Sequence, residues 1–223
     1  MRARFTLSCV APLPSDPHWL MPTTPAPDLV RAHLLASSDL MRRTAASAAE
    51  DLGRAAVLVA DSLRNGGKLL LCGNGGSAAD CSHLAAEFVN LLDRKHDRPG
   101  LAAIALTTDG AVLSATANDR GYGEIFARQV EALGRPGDVL LALSTSGSSP
   151  NIVAALEAAR AGKMTTILLT GETDGAALPH AQVSIRVPSN DVQHMQEAHL
   201  ALGHALVGIV EHQLFPEPSR SRT

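Results

Sequence analysis

The chain has 223 residues, 45% of them hydrophobic, with a formal charge of −3 and a sequence pI near 6.3. That length buries one good core, so a single domain with long flanking helices is expected. No basic excess draws nucleic acid or an anionic membrane, and no apolar run reaches the roughly 20 residues needed to span a bilayer.

Three cysteines, Cys9, Cys72 and Cys81, have no metal-ligand spacing. An odd, unspaced set excludes a disulfide framework or zinc ribbon and predicts a reducing, cytoplasmic setting. The expected partner is a small polar metabolite, not nucleic acid and not a membrane.

Along the chain, residues 1–27 hold Pro12, Pro14, Pro17, Pro22, Pro25 and Pro27, which deny backbone donors to regular structure and predict a disordered leader. Arg2 and Arg4 before FTLSCVA imitate a secretory signal, but the apolar stretch is short and no A-x-A site follows. A true start at Met21 or later accounts for the same zone. Asp28 to Arg64 has helical apolar spacing and stops at Asn65-Gly66-Gly67.

Five short apolar runs follow: KLLLCG, LAAIAL, DVLLALS, TTILLT and VSIRVP. Without polar alternation they read as strands covered on both faces, the mark of a parallel sheet. Each precedes a small-residue loop and a helix-like segment. A closing helix spans Asp191 to Leu214, and residues 216–223 form a loose polar tail. The expectation for 28–215 is one doubly wound α/β domain of flavodoxin-like plan, a five-stranded parallel sheet with long terminal helices and its ligand at the strands' carboxyl ends.

Two loops at those ends carry chemistry. GNGGS, Gly73 to Ser77, opens a helix and offers backbone N–H groups to an anion, although its spacing is neither G-x-G-x-x-G nor a P-loop. STSGSS, Ser144 to Ser149, precedes Pro150-Asn151 and another helix. A plain helix cap needs one hydroxyl, and this loop supplies five, Ser144, Thr145, Ser146, Ser148 and Ser149, which suits a phosphate. His83 and Glu87 are four apart and share a helix face just past the glycine loop. The plain alternative for them is a solvated ion pair.

These features, with Thr108-Asp109, NDRGYGEIFARQVEALGRPGDVLL, LTGETDG and QEAHLALGH, resemble the sugar isomerase (SIS) domain family over roughly Asp28 to Phe215. Within it the motifs are most similar to members that convert sedoheptulose 7-phosphate to D-glycero-D-manno-heptose 7-phosphate, an aldose–ketose isomerisation. The resemblance implies Glu87 and His204 as the acid/base pair, flanking an anchored sugar and moving a proton through an enediol. It implies that Ser144, Thr145, Ser146 and Ser149 hold the phosphate, that Asn74, Gly75, Gly76 and Ser77 line the pocket, and that Thr108, Asp109, Glu87 and Gln196 contact the substrate. Without it, His204 reads as a core histidine and Asp109 as a turn residue. His199, lacking such a match, is taken as structural.

Zinc is a further implication, with His83, Glu87, Gln196 and His204 as ligands and a Lewis-acid role. Gln196 and His204 lie eight apart, about 12 Å along an unbroken helix. Either the helix begins after Gln196, or the residues meet at a subunit junction, or this set does not hold the metal. Family members often carry Asp-Arg where this chain has Gln193-His194-Met195 before Gln196. The resemblance also implies a homotetramer with sites at subunit interfaces.

Two other classes share the fold: a tetrameric binding module that associates with a replication initiator, and a phosphosugar-sensing domain usually fused to a DNA-binding module. The binding module lacks the catalytic pair, so Glu87 and His204 favour the enzyme. No helix-turn-helix segment supports the sensor.

Overall fold

The computed structural model describes residues 24–94 and 97–216. The expected leader and tail fall almost wholly outside those residues, as does Cys9. Two units divide the chain, Met1–Ala36 and Ser37–Thr223. The first contributes the opening turns of helix α1, Ala26–Arg64, which begins two residues earlier than Asp28. The second holds everything that follows.

All five expected strands form: β1 Leu69–Gly73, β2 Ala103–Ala105, β3 Val139–Ser144, β4 Thr165–Thr170 and β5 Val183–Arg186. They make one parallel sheet in the order β2-β1-β3-β4-β5. The helices between and after them are α2 Gly76–Val89, α3 Gly110–Arg120, α4 Ala127–Leu133, α5 Pro150–Ala161 and α6 Val192–Leu214.

Strand periodicity sorts the core into two layers. Leu69 and Leu71 point into one cluster with Leu141, Leu143, Ile167 and residues of α1, α2 and α6. Leu70 and Cys72 point into the other, against Phe126, Val130, Ile152 and Leu156 from around α4 and on α5. Because both faces are covered, β1 and β3 are buried at every position, which is why their sequence shows no polar alternation.

One expected helix is absent. Between β4 and β5 lies only a 3-10 turn, Leu178–His180. Gly171, Gly175 and Pro179 punctuate those twelve residues, leaving no stretch long enough for a stable helix.

Strand order reverses around β1 and β3, so the crevice at their carboxyl ends is the switch point where such folds bind ligands. The GNGGS and STSGSS loops leave those two strands. On one face of the sheet, α2 and α6 run side by side in matched register. Gln196 lies against Gly76, Gly203 against Leu84, and Glu211 against Leu92. A Cβ on Gly203 would stand 2.5 Å from the fully buried Leu84, so glycine is what lets the two helices close.

Candidate active site

The glycine loop is shaped by contacts that exclude side chains. Gly75 has φ +57°, and a Cβ on Gly76 would come within 2.6 Å of the Gln196 amide. Helix α2 therefore starts at Gly76 with no side-chain cap, leaving its first N–H groups for an anion, while Ser77 is buried in the first turn.

In the hydroxyl loop, Ser149 is the N-cap residue of α5 but its side chain makes no capping bond. Ser144 Oγ, buried, accepts from Gly147 N at 3.2 Å, and Ser146 Oγ accepts from Ser148 N at 3.2 Å. Thr145 is half-buried and Ser146 exposed. Ser148 Oγ donates to Ser146 O at 3.3 Å, so the loop is ordered by three of its own hydroxyls, and Ser149 makes no capping bond. Asp109 caps α3, its Oδ1 accepting from Ala111 N and Val112 N at 3.0 Å each. The turn role of Asp109 uses one carboxylate oxygen, and the second makes no capping bond. Thr108 is exposed, its hydroxyl donating to Ala105 O at 3.2 Å.

Matched packing of α2 and α6 assembles the reactive group. His83 Nε2 is 3.0 Å from Glu87 Oε1 and 3.0 Å from His204 Nε2, and His204 Nε2 is 3.4 Å from the same carboxylate oxygen. The imidazole rings are tilted by 56° with centroids 5.2 Å apart. Glu87 is half-buried, the least exposed of the three, and its second oxygen, Oε2, is shielded from solvent without a hydrogen-bond partner. Within one chain Glu87 and His204 stand on the same side, adjacent rather than across a gap, because their helices are neighbours.

Gln196 is also on this α2–α6 seam, but its amide rests at Gly76. Helix α6 does not begin after Gln196: it is unbroken from Val192 to Leu214, so the Cα atoms of Gln196 and His204 are about 12 Å apart along the axis. His83, Glu87 and His204 form a three-donor group without it.

Sequence reasoning passed over several residues here. Asn151 pairs with Asn74 and bridges the two loops. Tyr122, the chain's single tyrosine, donates to Asn74 Oδ1 at 3.1 Å. Its place between Gly121 and Gly123 is the signal that could have marked it. Asp80, one turn before His83, has a buried oxygen with no partner. Burial raises the Asp80 carboxyl above its ordinary range, an effect the nearby His83 partly offsets.

His199 is the structural histidine the sequence suggested. It is fully buried, neither ring nitrogen has a partner of good geometry, and burial pushes its pKa down to about 4, opposed in part by the Thr170 backbone. The unfolded chain therefore takes up this proton more readily than the folded one. Stability is complete above pH ~6.5 and falls as pH drops toward 4, by up to about 3 kcal/mol. Urea unfolding at pH 7, 5.5 and 4.5 should show that loss, and a His199→Phe variant should show a shallower one. Equal pH slopes in the two proteins would reject this account.

Residues 33–171 match the SIS domain family. A phosphoheptose isomerase from Roseiflexus sp. (strain RS-1) is 50% identical over 182 residues, covering 82% of this chain and 91% of that protein. This chain belongs to the phosphoheptose isomerase branch of the SIS domain family. Among solved structures in that branch, a phosphoheptose isomerase from Francisella tularensis superposes with a TM-score of 0.81 at 36% identity, covering 85% of this chain and 100% of that one. The phosphoheptose isomerase from Neisseria gonorrhoeae gives 0.78 at 39% identity, covering 84% and 99%.

Proposed function

We propose that the protein is an aldose–ketose isomerase converting sedoheptulose 7-phosphate to D-glycero-D-manno-heptose 7-phosphate in heptose biosynthesis. The observation that carries this reading is the convergence of Glu87 and His204, 121 residues from His83 in sequence, beside two anion-ready loops. From Gly76 to His83, α2 rises about 10 Å. An open-chain heptose 7-phosphate also has its anion at one end and its reacting C1–C2 pair at the other.

In the forward direction one member of the pair removes a proton from C1 while the C2 carbonyl oxygen gains one, giving the enediol. The proton then returns to C2 as the O1 hydroxyl loses its own, and the carbonyl has moved to C1. No electrons enter or leave the substrate. Glu87 suits the base because its carboxylate faces both imidazoles and its Oε2 is shielded without a partner, and His204 suits the acid because its Nε2 lies 3.4 Å from that carboxylate. Ser144, Thr145, Ser146 and Ser149 hold the phosphate, with Asn74, Gly75, Gly76 and Ser77 beside them and Thr108, Asp109 and Gln196 toward the sugar.

We also assign zinc to His83, Glu87 and His204. Two imidazoles and a carboxylate are proper zinc donors, and the unpartnered Glu87 Oε2 leaves acceptor capacity for a cation. Bound there, zinc would polarise the sugar carbonyl as a Lewis acid. Gln196, whose amide rests at Gly76, stands outside this three-donor set. Treatment with a chelator followed by dialysis should abolish turnover, and added zinc should restore it. Activity unaffected by chelation would remove the metal from the mechanism.

A homotetramer is the proposed assembly, supported by the exposed apolar side chains Leu29, Val30, Leu34 and Leu35 on the first turns of α1. The cytoplasm is the proposed compartment, in keeping with the free, buried Cys72 and Cys81. Among the described residues no helix is long and apolar enough to cross a membrane. The deciding assay is incubation with sedoheptulose 7-phosphate while following aldose formation. Binding of the sugar phosphate without conversion would favour the binding-module reading instead.

A further inference from the structure

The side-chain amide of Asn74 has spent all of its acceptor capacity inside the protein. Its Oδ1 accepts from Asn151 Nδ2 at 2.8 Å and from the Tyr122 hydroxyl at 3.1 Å. Its Nδ2 donates to Asn151 Oδ1 at 2.9 Å. A primary amide has two lone pairs on oxygen and two N–H bonds, so this arrangement leaves one N–H and no lone pair.

The partners differ in what holds them. Asn151 is 2% exposed in the first turn of α5, so its amide has no room to turn. In the orientation the structure shows, the reciprocal pair and the Tyr122 hydroxyl together fill both lone pairs of the Asn74 oxygen. Tyr122 sits in the 3-10 turn Tyr122–Glu124 after Gly121 at φ +94°, 62% exposed as a residue, with its hydroxyl on the Asn74 oxygen.

We propose that Tyr122 and Asn151 are positioning residues for the sugar phosphate. They hold the Asn74 amide with its oxygen turned to the protein, so that the group it presents to ligand is a single N–H donor. The site then selects an acceptor oxygen at that point, on the phosphate or on the sugar, and disfavours a donor there. This rests on the phosphosugar reading above and adds the polarity of one contact to it.

Tyr122→Phe isolates the effect, since removing an exposed hydroxyl leaves the core untouched. Steady-state kinetics with sedoheptulose 7-phosphate should show KM raised about fivefold, the worth of one hydrogen bond, with kcat changed less than about twofold. The melting temperature should not move, which a merely structural role for the hydroxyl would not allow. Asn151→Asp keeps the acceptor for Asn74 Nδ2 but removes the donor to Oδ1, so joined with Tyr122→Phe it should raise KM further than either change alone. Calorimetric titration with sedoheptulose 7-phosphate reads the same losses without turnover. If the wild type binds but does not convert the sugar and Tyr122→Phe binds it more weakly, the isomerase reading fails and this proposal stands. Titration with inorganic phosphate locates the acceptor: a parallel loss puts it on the phosphate, and a loss confined to the sugar phosphate puts it on the sugar. Unchanged affinity in Tyr122→Phe, or no binding of the sugar phosphate by the wild type, overturns the proposal.

Discussion

Glu87→Gln should lower kcat for sedoheptulose 7-phosphate by about 10²- to 10⁴-fold, the range that positioned acid/base groups contribute. The substitution keeps the size and the acceptor oxygen that faces His83 and His204, but it cannot take a proton from carbon. Affinity for the sugar phosphate should stay within a few-fold, because the anion loops are untouched. His204→Ala should lose a comparable factor, and the double variant little more than either single one, since two groups that serve one proton transfer do not act independently. A Glu87→Gln protein with near wild-type turnover would remove the carboxylate from the chemistry. One that loses activity only through unfolding, visible as a lowered melting temperature, would leave a structural role in its place.

The second large effect is expected at the far end of the same helices. Arg98 is nearly buried and makes a 2.6 Å ion pair with Glu211 on α6. The rest of its guanidinium donates to the carbonyls of Glu87 and Phe88 at 2.8 Å each, and to Pro99 O at 3.0 Å. One side chain therefore closes the last turn of α2, where unpaired carbonyls and the negative end of the helix dipole favour a cation, and ties that turn to α6. Glu211 Oε1 also accepts from Leu92 N at 3.2 Å.

Removing one member of such a pair strands a charge in the interior, so Arg98→Ala or Glu211→Ala should destabilise the domain by about 3–5 kcal/mol. For a domain of this size the melting temperature should fall by roughly 10 °C. Arg98→Met with Glu211→Leu should cost less than either single change, because no buried charge is left over. If the double variant is as unstable as the sum of the singles, packing and not charge pairing explains the site. Arg98 bonds the backbone carbonyl of Glu87 itself, so residual folded Arg98→Ala protein should also turn over more slowly.

Much of this architecture is visible in the residues themselves. KLLLCG and DVLLALS read as doubly covered strands because every position of β1 and β3 is buried, and an unbroken apolar run has no other economical explanation in so short a segment. The i,i+4 spacing of His83 and Glu87 places them on one helix face, since helical neighbours follow from local geometry alone. The helix expected after β4 is missing for a local reason too: small residues after a strand suggest a helix entrance, but Gly171, Gly175 and Pro179 leave it no room.

What the residues could not disclose is which distant groups meet. His204 joins His83, Asn151 joins Asn74, and Arg98 joins Glu211 across separations of 121, 77 and 113 residues. Each meeting depends on how closely two elements pack, and that distance is a property of both surfaces at once. Gly203 against Leu84 sets the spacing of α2 and α6, and the strand order β2-β1-β3 sets the two loops side by side. The sequence by itself thus determined the sheet, every helix but the one expected after β4, and the kinds of groups at their ends. Only the tertiary structure decided their pairings, because hydrogen-bond geometry is specified to tenths of an ångström and periodicity is not.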